Sequence, residues 1–141
     1  MDKRFALRNY VLVSFLACML TSCGGFVYKK EIANGYYLIA IDSDEQMALG
    51  RKSDSSYITV IPETIFAIGW DESFIIAKQH PRTSSFPQGY KVNKDETFFY
   101  LLRIKDDQVF GPMPEPAYLK KRNELRVDEN LSFTKVFSNL Q

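Results

Sequence analysis

Two side chains invite a chemical reading first: the thiol of Cys23, directly after Leu20-Thr21-Ser22, and the imidazole of His80, the only histidine. A thiolate is a strong nucleophile and can be alkylated. An imidazole can relay a proton between a serine and an acid, and Ser84 and Ser85 lie close by in the chain. Sequence adjacency does not create attack geometry, and no serine sits in a glycine-bounded elbow. His80 is therefore expected to be structural or solvent-exposed, and no catalytic residue is assigned. One imidazole also excludes the usual clustered-histidine metal sites and leaves no Cys/His nucleophilic pair.

Acidic residues concentrate at Asp42, Asp44 and Glu45, at Asp71 and Glu72, and at Asp106 and Asp107. Calcium takes six to eight oxygen ligands, and none of these spacings matches a helix-flanked calcium loop. Solvated turns are the expected outcome, with no metal and no cofactor. A pair of glycosidase-type carboxylates needs a particular separation in space, which spacing along the chain does not reveal. Trp70, Tyr90 and the run Phe98-Phe99-Tyr100 suggest a ligand platform, yet most occur at strand spacing and are expected in the core, with Tyr90 exposed in a loop. The glycines at Gly24-Gly25 and Gly111 carry no nucleotide fingerprint.

Around Cys23 the pattern is more specific. Lys3, Arg4 and Arg8 precede a largely apolar run from Tyr10 to Leu20, the charged and apolar regions of an export signal. Eleven residues is about half of what a helix needs to cross the ~30 Å hydrocarbon core of a bilayer. Leu20-Thr21-Ser22-Cys23 resembles the lipobox of bacterial lipoproteins. That resemblance implies cleavage before Cys23 by lipoprotein signal peptidase, a diacylglycerol on its thiol, and an acyl chain such as palmitate on its freed amine. Two or three acyl chains hold a protein at a membrane where one does so only marginally.

Residues 1–22 are thus expected to be a signal peptide, 23–33 a lipidated start and short tether, and 34–141 a single domain. Within the tether, Lys29, Lys30 and Glu31 read as solvated linker. Residues 23–141 carry 15 Lys and Arg against 16 Asp and Glu, so the slight basicity of the full chain belongs to its leader. Without a cationic footprint, nucleic acid is not an expected partner. Both cysteines, Cys18 and Cys23, lie in the leader or at its cut, which leaves the domain to be held by apolar packing and backbone hydrogen bonds.

The domain reads as strands. Tyr36–Ile41 is apolar on both faces, which suggests cover on each side, and Gln46–Arg51 and Tyr57–Ile61 follow. In Thr64–Trp70, large residues alternate with Ile65, Ala67 and Gly69, a contrast that permits close approach by another backbone. Phe74–His80 completes a hairpin across which Trp70 and Phe74 are placed to pack. A loop runs from Pro81 to about Glu96, Thr97–Ile104 resumes the alternation, and Gly111-Pro112 stops the short strand at Gln108–Phe110. Glu115–Leu125 changes to helical spacing, with Tyr118, Arg122 and Leu125 near one face, helped by Leu119. Its Lys120-Lys121-Arg122 cluster reads as a solvated face near the helix C-terminus. The tail, with Leu131, Phe133, Val136 and Phe137, is expected to pack over the sheet. The fold class is mainly β within α+β: an antiparallel bent sheet or sandwich with one C-terminal helix.

At Asn34-Gly35-Tyr36, Phe74-Ile75-Ile76-Ala77-Lys78-Gln79 and Val109-Phe110-Gly111-Pro112 the chain resembles a family of small uncharacterised bacterial lipoproteins, over most of residues 34–130. The resemblance implies lipid attachment and one compact domain, and transfers no substrate or active-site residue. The expected function is a non-enzymatic envelope module that binds a protein or small component there. An immunity or inhibitor lipoprotein is a narrower form of this, and an envelope hydrolase with an unrecognised site is the competing class. Gly24 after the cysteine does not resemble the aspartate of a retention signal, so the expected location is the outer membrane facing the periplasm, or the cell membrane of a Gram-positive bacterium.

Overall fold

A computed structural model describes residues 25–84, 89 and 91–141 of the chain. Among these residues nine strands form two antiparallel sheets. The first is a meander of β1 (Tyr28–Ala33), β2 (Tyr36–Ala40), β3 (Ala48–Ser53) and β4 (Ser56–Ile61), in that spatial order. The second has the order β8-β7-β6-β5-β9, built from β5 (Ile65–Trp70), β6 (Phe74–Gln79), β7 (Phe98–Arg103), β8 (Gln108–Met113) and β9 (Lys135–Val136). One helix, α1 (Glu115–Glu124), follows β8. Among the described residues no helix is long and apolar enough to cross a membrane.

The inner face of the first sheet supplies Leu38, Ala40, Leu49 and Ile61, and the second sheet answers with Ile68, Ile75, Ala77 and Leu102, all buried in one cluster. On the far face of the second sheet, Phe74, Ile76, Phe99 and Leu101 pack against Tyr118 of α1 and against Val127 and Leu131 beyond it. The layers are therefore sheet, sheet, and helix with tail. This is the sandwich form of the expected class, and apolar alternation along β5, β6 and β7 produces it because both faces of the second sheet are covered.

Several local expectations change. Residues 28–33, read as tether, form strand β1, with Tyr28 against Ala40 and Glu31 against Tyr37. Tyr28 and Ile32 face the core, Lys29 and Glu31 stand outward and Lys30 reaches over Trp70 at the margin, the composition of a sheet-edge strand, and those charges masked the alternation. Asn34 and Gly35, both at positive φ, make the two-residue turn into β2. β2 is covered by the second sheet on one face alone, since Tyr37 and Ile39 look outward with no layer above them among the described residues.

Trp70 pairs with Ile75, which places Phe74 on the opposite face, so Trp70 borders the inter-sheet core while Phe74 joins the helix side. Gly111-Pro112 does not stop β8. Phe110 pairs with Leu101 and Met113 with Phe99, so two residues of β8 oppose Tyr100 and the outer strand bulges around a proline. Similar shifts leave Ile32 extra in β1, Val60 in β4 and Phe66 in β5. On α1, Leu119 is half exposed, and Tyr118 alone is buried.

The tail is held by Arg122, whose guanidinium donates to the Tyr118 hydroxyl at 3.2 Å and to the carbonyls of Asp128 and Leu131 at 2.7 and 2.9 Å. Ser132 then crosses directly over Gly69, and Phe137 donates its N–H to Phe66 at 2.8 Å. The size contrast in β5 thus serves the close backbone approach expected of it.

Burial also raises the pKa of four phenols above the ordinary 10.0: Tyr36, where Arg51 partly opposes the rise, Tyr37, where a hydrogen bond to Glu31 adds to it, Tyr100, and Tyr118, where Arg122 opposes it. A folded state that holds these protons more tightly keeps that stability in full below about pH 10 and loses it as pH climbs through the raised values. Melting temperatures taken from about pH 8 to about pH 11 should fall at the alkaline end, and Tyr118→Phe, with one fewer titrating phenol, should fall less steeply. Parallel curves for the two proteins would contradict this.

Candidate functional site

Beyond β6 the chain keeps its pairing for one more residue, with His80 and Thr64 exchanging backbone hydrogen bonds at 2.9 and 3.2 Å. That extension, and the bulge that turns Phe66 out of register, bring the two rings face to face, with centroids 4.1 Å apart and planes 13° from parallel. His80 is 3% exposed. Its Nδ1 lies 2.7 Å from the Glu96 carbonyl oxygen. A carbonyl only accepts, so Nδ1 carries the proton, and in the neutral ring Nε2 is left as a bare acceptor. Nε2 is buried with no hydrogen-bond partner among the described residues.

This ring helps to line a cleft of about 510 Å³ on the helix side of the second sheet. Lys78 and Phe99 come from the sheet, Lys94 and Thr97 from the loop before β7, and Pro114 and Glu115 from the start of α1. The Lys78 ammonium stands over the rings of Phe99 and Phe133 at 5.3 and 4.8 Å, which positions its positive charge against aromatic faces. Lys94 donates to the carbonyls of Asn139 and Gln141 at 3.1 and 3.2 Å. The recess can hold a small polar or anionic group. Among the described residues that line it there is no assembled nucleophile.

The Ser-His relay is not brought together. Ser84 donates its hydroxyl to the Gly89 carbonyl and accepts from the Lys91 N–H at 2.8 Å, while His80 turns to Glu96. Ser84 serves as a loop brace, and Ser85 lies outside the described residues. Nor do the acidic turns converge: among the described residues no three His, Cys, Asp or Glu side chains are grouped to hold a metal ion. Four of these acids have local tasks. One Asp71 oxygen accepts the N–H groups of Ser73 and Phe74, both at 2.7 Å, and closes the β5–β6 turn. Asp106 takes a two-point bond from Arg103 at 2.9 and 2.7 Å, which holds its carboxyl below the usual range. Asp107 pairs with Arg51 and accepts from the Tyr36 hydroxyl, tying the β7–β8 turn to the first sheet. Asp44 accepts from Asn139 at 3.2 Å.

The suggested aromatic platform separates. Phe99 and Tyr100 are buried core, Trp70 is half-buried with Lys30 5.8 Å from its ring, and Tyr90 lies outside the described residues, as does Cys23. In the basic cluster on α1, Arg122 is the clamp described above, and Lys121 bonds Glu124 at 2.5 Å.

Sequence reasoning missed a different group, on the outer face of the first sheet. Tyr37 and Tyr57 meet edge to face at 5.2 Å, and Phe26 lies 5.4 Å from Tyr57. Lys29 places its ammonium 5.0 to 5.7 Å from all three rings. Gly50 makes room, because a Cβ there would sit 3.3 Å from that of Tyr57 and 3.1 Å from Ile39. The available signal was Gly50, a strand residue without a side chain between two tyrosines of one face.

Fold and site together define a small α+β sandwich with a polar cleft and an uncovered aromatic face, and without a recognisable catalytic or metal centre among the described residues. The chain belongs to the family described as "Protein of unknown function (DUF3997)", which matches residues 33–137. That span takes in the expected 34–130 and extends through β9. No curated protein and no solved structure matches the chain.

Proposed function

We propose that the chain is exported, cut ahead of Cys23, and held by acyl chains at a membrane face as a non-enzymatic binding module of the cell envelope. The observation that carries this reading is Leu20-Thr21-Ser22-Cys23 behind a basic and then apolar leader. That Asp44, Asp71, Asp106 and Asp107 are engaged in structural bonds, and that His80 Nδ1 turns to the Glu96 carbonyl, supports binding over turnover. The cleft beside His80, with Lys78 and Lys94, provides a place for a small anionic component or an acidic side chain of an envelope partner. Tethering raises the local concentration of such a module near membrane partners, so modest intrinsic affinity suffices. With Gly24 after the cysteine, the proposed location is the periplasmic face of an outer membrane, or the cell membrane where there is one membrane only.

Cys23→Ala is the direct test. The wild-type protein should sediment with membranes and carry the mass of a diacylglycerol and an acyl group. The variant should lack that mass increment and leave the membrane fraction. Equal partitioning of the two proteins, with neither bearing lipid, overturns the anchor.

A further inference from the structure

Resting on the reading of Cys23 as the anchored residue, we propose that the outer face of the first sheet lies in the headgroup layer of the membrane that holds the chain. Its contact is formed by Phe26, Val27, Tyr37, Ile41 and Tyr57, with Lys29 among the rings. The whole body is thereby oriented, with the His80 cleft turned away from the lipid.

The argument begins with reach. Gly24 and Gly25 alone separate Cys23 from Phe26, and a fully extended chain gains at most about 3.6 Å per residue, so Phe26 stays within ~11 Å of the acylated cysteine. The polar layer on each side of a bilayer is about 5–8 Å deep. Phe26 therefore cannot stand clear of that layer by more than a few ångströms. The face that descends with it follows from its contacts. Val27 donates its N–H to Ile41 at 3.3 Å, which fixes the start of the body against the end of β2, and the Phe26 ring folds back onto Tyr57 on the outer side.

The chemistry of that side suits lipid headgroups. Aromatic rings concentrate where hydrocarbon meets water, and a lysine lays its stem along apolar surface while its ammonium reaches phosphate. Phe26, Val27 and Ile41 are 39%, 54% and 52% exposed, and they sit together on this side, whereas the exposed Ile58, Leu119 and Val136 stand singly on β4, α1 and β9. The inner face of the same sheet is already buried on the second sheet, and no element covers the outer one among the described residues. Carboxylates stand on this side as well, Glu31 bonded by the Tyr37 hydroxyl and Asp42 and Glu63 beside Ile41, so the contact with lipid is centred on the rings and Lys29. The His80 cleft lies on the opposite side of the second sheet, two layers from the rings, and so opens toward the aqueous compartment.

The experiment uses the full-length lipoprotein, processed in cells and reconstituted into vesicles of phosphatidylethanolamine and phosphatidylglycerol. Single cysteines are introduced as Ile41→Cys on the outer face and Leu119→Cys on α1, and each is labelled with an environment-sensitive fluorophore. Thr59→Cys, also on the outer face, replaces Ile41→Cys should that variant fold poorly. Intact mass first establishes the lipid on Cys23. The Ile41 or Thr59 probe should then shift to the blue and lose emission when the lipids carry bromine near the headgroup, while the Leu119 probe emits as in water and is not quenched. Water-like, unquenched emission from both positions on a lipid-bearing protein overturns the membrane-facing surface and leaves the anchor standing. Absence of the lipid mass overturns the anchor and this orientation together.

Discussion

Gly69→Ala is expected to detach the tail from the second sheet and to lower stability by about 3 kcal/mol or more, from overpacking of ~1–3 kcal/mol and the lost burial of Leu131 at ~1.5–3 kcal/mol. The cause is geometric. A Cβ at position 69 would stand 1.9 Å from the Ser132 carbonyl oxygen and 2.8 Å from its carbon. Both are backbone atoms, so no rotamer change relieves the overlap, and either β5 or residues 131–137 must move. The tail is the weaker party, since β9 holds β5 through two residue pairs only. Its displacement uncovers Leu131 and Phe133, which complete the cluster around Tyr118 and Ile76. The melting temperature should fall by roughly 10 °C. Amide exchange at Phe137, now protected by its bond to Phe66, should accelerate well before the β6 amides respond. A Gly69→Ala protein with unchanged melting and a protected Phe137 amide would contradict the close approach.

Ile76→Ala is expected to cost about 2–5 kcal/mol, the range for truncating a fully buried aliphatic side chain where neighbours relax only in part. Ile76 has no exposed surface and lies in the central strand between Gly69 and Leu101. Phe74, Phe99, Tyr118 and Leu131 surround it from sheet, helix and tail, so no single neighbour can swing into the space. The contrast is Ile58→Ala on β4. Ile58 is 61% exposed, and removal of its side chain should stay within about 0.5 kcal/mol. Urea midpoints for the two variants, measured with the wild type, make the comparison. Equal midpoints would place Ile76 outside the core.

What could be read from residue order was whatever depends on periodicity within one element. The alternation in Thr64–Trp70, Phe74–His80 and Thr97–Ile104 located β5, β6 and β7, and the change of period after Pro114 located α1. Gly69 announced a backbone passing overhead, although nothing in its surroundings named Ser132 as the residue that passes. Features set by pairing register were out of reach. Whether Trp70 and Phe74 share a face depends on a tight turn that pairs Trp70 with Ile75, and the bulge at Phe66 exists only relative to β6. Charge misled at β1, where Lys29, Lys30 and Glu31 belong to an edge strand and not to a linker. At the candidate site, the single histidine pointed to a position of interest. Its tautomer rests on the Glu96 carbonyl, sixteen residues away, and its cleft on Lys94 and the start of α1. Such convergence is produced by the tertiary fold alone.

All four free margins of the two sheets are interrupted. β1 bulges at Ile32 and carries charges, β4 bulges at Val60 and runs into Pro62, β8 buckles at Gly111-Pro112, and β9 is two residues long. A neighbouring copy therefore finds no straight ladder of amides on which to add a strand. Crowding of like copies, however frequent their collisions, is thereby kept from turning into fibre growth.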